Sequence, residues 1–223
     1  MHKIRTCYWC GTPADSKEHV PPESFFKGTK KLNLITVPSC RIHNENFNQL
    51  DQRMWALIPL LCQSPEAMRR VDAIIRSFLD PKAPHFMEGI MKDFVPVATP
   101  TGAIGVAPIP KEDVLAFLEK VTRALYYRHF NSTFEAVFSG AFLQSFHTSS
   151  DGKAHMQGIA PLFHNPKLTP ITGKVSHPEI FQYRYIRQAA LDPHFFAVAM
   201  KFYNDIIAFT VLQAVSKDPS KSL

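Results

Sequence analysis

The chain has little cysteine, no apolar leader and no long uncharged helix-forming run, and each shortage removes a class of protein. Four cysteines in 223 residues, Cys7, Cys10, Cys40 and Cys62, are too few for a disulfide-built scaffold. Cys62 closes the apolar run ALIPLLC and reads as a small buried hydrophobe. The remaining three are an odd number, which suits a metal better than disulfides and implies a reducing compartment. The start, MHKIRTCYWC, lacks the apolar stretch of a secretory leader. The longest uncharged segment, FVPVATPTGAIGVAPIP at 94–110, holds four prolines and two glycines. It reads as a loop with short extended pieces rather than a membrane helix. No internal repeat is visible, and the expectation is a soluble, cytoplasmic protein with no membrane partner.

What is present is ordinary in amount and uneven in placement. Hydrophobic residues make up 45% of the chain and charged residues 20%, which places it among globular proteins. The net charge of +6 and a pI near 9.2 favour an anionic partner, nucleic acid being the commonest.

The element pattern predicts an α+β protein. Short extended segments run into 17–20 and across 34–37, joined by the loop PPESFFKGTKKLN. A helix begins near Cys40, with Phe47, Leu50, Met54, Leu57, Ile58 and Leu61 on one face, and Pro59 kinks or ends it. Ser64 as N-cap, Pro65 and Glu66 start a second helix running to about Leu79. PKAPHFMEG then punctuates the chain, and a third helix spans about 111–129, with Glu112 and Asp113 near its positive end. Beyond it the pattern alternates as strands do. Hairpin tips are expected at Asp151-Gly152 and Asn204-Asp205, and FQYRYIRQA (181–189) reads as a strand. The organisation expected is a metal-bearing module at 1–58, a helical linker at 59–84, a sheet-plus-helix domain at 85–216 and a disordered tail at 217–223.

The metal signal is C-x2-C at Cys7 and Cys10 and C-x2-H at Cys40 and His43. Residues three apart on a tight turn can both aim at one ion, and two such pairs close a tetrahedron. A structural Zn²⁺ there explains how a short module with few large apolar residues stays folded. Spacing alone leaves His2 and His19 open as the fourth ligand. Tyr8 and Trp9, between the first two cysteines, read as a cover for the metal rather than a base-stacking platform. The histidines of the later part (129, 147, 155, 164, 177 and 194) show no ligand spacing.

Five elements in order carry a family resemblance: C-x2-C, Glu-His-Val-Pro-Pro at 18–22, Asn-Leu at 33–34 before a hydrophobic strand, C-x2-H, and Asn44. Over about residues 7–55 the chain resembles an HNH endonuclease of the zinc-stapled ββα-metal, treble-clef type. The resemblance implies that Glu18 and Asn44 hold a catalytic Mg²⁺ or Mn²⁺ and that His19 is the general base. It implies that Asn33 braces the connecting loop or orients the histidine. The reaction implied is hydrolysis of DNA phosphodiesters to 5′-phosphate and 3′-hydroxyl ends, in a bacterial, phage or antiviral-defence setting. Two positions depart from the family pattern. His43 stands where a cysteine is usual, and Glu18 where aspartate is at least as common.

The chemistry of the residues agrees with that reading. Imidazole can take a proton from water near neutrality, and a hard cation held by carboxylate and amide oxygens can bridge phosphate and leaving oxygens. Residues 1–55 carry eight Lys/Arg against five Asp/Glu. Lys27, Lys30, Lys31 and Arg41 are the candidate nucleic-acid contacts. Specificity is expected in the C-terminal domain or in a partner it recruits, and double-strand cuts would call for a homodimer. Two other classes compete. One is a non-catalytic treble-clef module binding nucleic acid or a protein, and the other is a toxin-like nuclease that cleaves RNA.

Overall fold

The structure is a computed structural model that describes residues 5–30, 33–78, 95–99, 102–106, 110–144, 163, 168–187 and 195–214. Lys31, the Asp151-Gly152 hairpin tip and the tail at 217–223 lie outside the described residues.

The N-terminal part is a hairpin followed by helices. Strand β1 (Ser16–His19) pairs antiparallel with β2 (Thr36–Ser39), so that Glu18 faces Val37 and His19 faces Thr36. A 3-10 turn at Glu23–Phe26 lies between them and buries Phe25 and Phe26. The single helix expected from Cys40 is two: α1 (Arg41–Asn46) and α2 (Asn48–Leu60), with Phe47 between them. Pro59 falls in the last turn of α2, where the chain ends the helix rather than kinking through it. Met54, Leu57 and Ile58 are buried as the periodicity requires, but Leu61, just past the helix end, is 40% exposed.

Helix α3 (Pro65–Phe78) starts as the sequence predicts. Ser64 Oγ accepts from Ala67 N at 3.3 Å. A second cap comes from far along the chain, because the Asp205 carboxylate accepts from Gln63 N and Ser64 N, both at 2.7 Å. Segment 94–110 contains a short hairpin, β3 (Val95–Thr99) with β4 (Gly102–Val106). Helix α4 (Lys111–Phe130) is the longest, and its C-terminus is closed by Asn131 in the left-handed region, φ 51°.

Among the described residues the largest sheet has five antiparallel strands in the order β5-β9-β8-β7-β6: β5 (Ala136–Gln144), β6 (Ile171–Thr172), β7 (Phe181–Arg187), β8 (Phe195–Phe202) and β9 (Ile206–Ala214). The β8–β9 turn at Tyr203-Asn204 has positive φ at both residues, 50° and 61°. Asp205 N donates to Phe202 O across it at 3.0 Å. That backbone matches the right-handed twist of the strands it joins.

One face of this sheet and helices α2, α3 and α4 enclose the main apolar core, which also takes in Tyr8, Val20, Phe25, Ile35 and Val37 of the N-terminal part. A smaller cluster around Phe163, Ile186, Ala197 and Val211 covers the other face. The main core thus draws side chains from segments on both sides of residues 58 and 84. Among the described residues, no helix is long and apolar enough to cross a membrane.

Candidate metal centre and the hairpin it braces

The first two thiols come from a knuckle ahead of β1. Cys7 N donates to Thr12 O at 2.7 Å and Gly11 N to Cys7 O at 2.9 Å. Gly11 makes that return at φ 75°, a conformation side-chain-bearing residues rarely adopt. Tyr8 N donates to Pro38 O at 2.9 Å, which fastens the knuckle to β2. The other pair starts a helix: Cys40 caps α1 and His43 lies in its first turn.

The four ligand atoms converge. All lie within 4.8 Å of one another, with Cys10 Sγ to Cys40 Sγ at 3.9 Å, Cys7 Sγ to His43 Nδ1 at 4.0 Å and Cys40 Sγ to His43 Nδ1 at 3.0 Å. Tetrahedral Zn²⁺ with bonds of about 2.3 Å to sulfur requires ligand separations of about 3.8 Å, and three thiols with one imidazole form a common zinc donor set. The residues therefore fit a structural zinc, with Nδ1 of His43 as the fourth donor. Among the described residues this is the one group of three or more Cys, His, Asp or Glu side chains that could hold a metal. His2 lies outside the described residues, and His19 is not a member of the cluster. Trp9 covers the site, its ring 6.0 Å from that of His43 and 5.0 Å from that of Phe47, while the Arg123 side chain lies over the indole at 5.1 Å.

Adjacent strand residues face opposite ways, and β1 uses this to separate Glu18 from His19. Glu18 is 4% exposed. Its Oε1 accepts from Lys120 Nζ of α4 at 3.0 Å, and the same ammonium donates to Asp51 of α2 at 2.6 Å. Burial pushes the Glu18 carboxyl up; the nearby Lys120 opposes this and Asp51 adds to it, leaving the pKa raised. Burial raises Asp51 in the same way against the pull of Lys120. Among the described residues, Glu18 Oε2 and the buried Tyr8 hydroxyl have no hydrogen-bond partner. Burial, with Glu18 and Asp51 nearby, holds the Tyr8 phenol well above its usual range.

His19 faces outward, its side chain 33% exposed, with Nδ1 at 3.8 Å from Glu23 Oε2. Asn44 follows His43 on α1 and is half-buried. The residues matched to a catalytic cation are thus placed differently: Asn44 on the zinc-ligand helix, which packs on β1, and Glu18 in an ion pair on the inner face. As placed, Glu18 gives its Oε1 to an ammonium that it shares with Asp51.

The loop between the strands is tied to the C-terminal part. Asn33, at φ 56°, gives its carbonyl to Ser176 Oγ at 2.9 Å, and Lys30 O accepts from His177 Nε2 at 2.7 Å. Lys27 lies over the Trp55 ring at 5.9 Å, and its carbonyl accepts from Arg70. Arg41 pairs with Glu45 on the surface at 2.6 Å.

Asp51 and Lys120 were not among the residues singled out from sequence. A signal for them exists. Asp51 precedes Met54 by one helical turn, and Lys120 stands among Phe117, Val121 and Ala124, so each puts a charge on an apolar stripe.

Comparison with protein-family models, with curated proteins and with solved structures finds no match to this chain.

Proposed function

We propose that the chain is a DNA-cleaving phosphodiester hydrolase of the HNH type, built on a zinc-stapled treble-clef module. The observation that carries the proposal is the placement of His19. Four converging ligands brace a hairpin and helix in the order that the sequence pattern requires, and that hairpin displays an imidazole to solvent beside a carboxylate. His19 would take the proton of the attacking water as the new oxygen–phosphorus bond forms and the 3′-oxygen leaves. Glu18, which the family pattern would give to a divalent cation, is instead paired with Lys120.

That pairing favours a second reading, a zinc-stapled module that binds nucleic acid without cutting it. Both are tested with supercoiled plasmid, single-stranded DNA and RNA, with and without added Mg²⁺ or Mn²⁺, at matched zinc content. The nuclease reading requires nicking by the wild type and a loss of about 10²-fold or more in His19→Ala. Glu18→Gln then decides the fate of the cation. Lost cleavage with preserved fold would mean that Glu18 leaves Lys120 to act at the site. Retained cleavage would make it a structural carboxylate. If no substrate is cut, the binding-module reading replaces the catalytic one.

A further inference from the structure

A cleft of about 240 Å³ opens where α4 ends against β2, lined by Arg5, Thr36, Val37, Pro38, Tyr127, Arg128 and Asn131. Arg5 and Arg128 are both exposed; among the described residues no carboxylate lines the cleft and neither guanidinium pairs with an acidic side chain. Elsewhere on this surface arginines do have carboxylates, as Arg41, Arg53, Arg69 and Arg123 show. Two arginines lining one cleft, with no acidic side chain among its described lining residues, make it a site for an anion, and guanidiniums match the oxygens of a phosphate in pairs.

The cleft's position adds to its charge. Thr36 is the cross-strand partner of His19, and directly opposed residues project from the same face of a hairpin with Cβ atoms about 5 Å apart. Both are accessible, Thr36 exposed and His19 half-buried. Asn131 adds an amide where α4 turns away, and the Tyr127 hydroxyl is held near Thr6 Oγ1 at 3.4 Å. The negative end of the α4 dipole lies here and opposes an anion, but with partial charge against two whole ones. The volume falls below the roughly 300–1,000 Å³ of sites that engulf small molecules. It suits a single phosphate of a polymer running across the surface.

We propose that the Arg5–Arg128 cleft binds a backbone phosphate of a nucleic-acid strand and so lays the strand across the face that carries His19. This rests on the reading of that face as the nucleic-acid face, and it holds whether or not the face cuts.

The test is binding of a fluorescein-labelled 20-base-pair duplex to the zinc-loaded full chain, followed by anisotropy without added divalent cation over a series of salt concentrations. Arg5→Gln/Arg128→Gln should weaken binding about 10-fold or more and reduce the slope of log Kd against log salt by about one to two. Lys111→Gln/Lys174→Gln removes the same charge from exposed positions outside the cleft, and should change Kd by less than about 2-fold. Arg5→Lys/Arg128→Lys should recover part of the loss, because charge returns without the forked geometry. Equal weakening by the two Gln pairs would overturn the proposal, since only net charge would then matter. So would duplex binding that ignores the Arg5 and Arg128 changes while inorganic phosphate binds the wild type and not the double Gln variant, which would make the cleft a free-phosphate site. Duplex binding lost with the arginines, together with no cleavage by the wild type, would sink the nuclease reading and leave this one standing.

Discussion

Glu18 Oε1 lies 3.0 Å from Lys120 Nζ, and the two side chains, 102 residues apart, are both almost wholly buried. The pair joins the hairpin that carries His19 to the long helix α4, and Asp51 brings α2 to the same ammonium. Two carboxylates share one cation, so the cluster is anionic when all three are ionised. Burial raises both the Glu18 and the Asp51 carboxyls against the pull of Lys120, and for Glu18 the neighbouring Asp51 adds to it.

Removing the cation should be far worse than removing one anion. Lys120→Met leaves two buried carboxylates facing each other and should cost about 3–5 kcal/mol. Glu18→Gln keeps the Lys120–Asp51 pair and should cost less. Urea unfolding of the three proteins checks this, and a loss below about 1 kcal/mol in Lys120→Met would show that the cluster does not hold the elements together.

Zinc should depend on three of the four thiols. Cys40→Ser should release the metal and unfold the N-terminal hairpin, read by zinc content and by amide exchange over residues 5–40. Cys62 is a different case. Burial, with Asp205 nearby, pushes its thiol up to about 12, and its Sγ donates to Ile58 O at 3.2 Å. Cys62→Ala should leave one zinc per chain, and in the folded wild type Cys62 should resist thiol reagents at pH 8. A halved zinc content in Cys62→Ala would contradict the assignment of ligands.

His129 should make stability pH-dependent. Burial, then the neighbouring Arg128, lowers its pKa from 6.5, and Nε2 lies 3.0 Å from the Tyr183 hydroxyl with the ring stacked on Tyr185 at 4.1 Å. A folded pKa below the unfolded one means that the unfolded chain takes up the proton first. The stability this group contributes is therefore present above about 6.5 and lost as pH falls through the lower folded value. The imidazole resonances should titrate below 6.5, and Arg128→Gln should move the midpoint upward. A midpoint at or above the ordinary value would refute the burial.

Gly173 should accept no side chain. A Cβ there would lie 1.9 Å from Tyr183 Cζ, so the ring must move and its contact with His129 must open. Gly173→Ala should cost about 1–3 kcal/mol and shift the His129 titration, and an unchanged titration would mean that the ring stays in place.

The candidate metal donors were legible in the chain as written, because ligand spacing is local: residues three apart on a knuckle or a helix start can aim at one ion, whatever the rest of the protein does. Helix α3 and α4 could be read for the same reason, from caps and periodicity within a few residues. The break at Phe47 could not, since the apolar face runs through it unbroken; in the structure Phe47 packs against Trp9 and His43, contacts that no local pattern shows. The Glu18–Lys120–Asp51 cluster and the Arg5–Arg128 cleft lay still further out of reach. Sequence supplies a carboxylate beside a histidine at 18 and 19, and strand geometry then sends them to opposite faces. Which face is buried, and against which distant charge, depends on how the hairpin docks on α4. Long-range electrostatics follow from that docking, and no spacing within the chain encodes it.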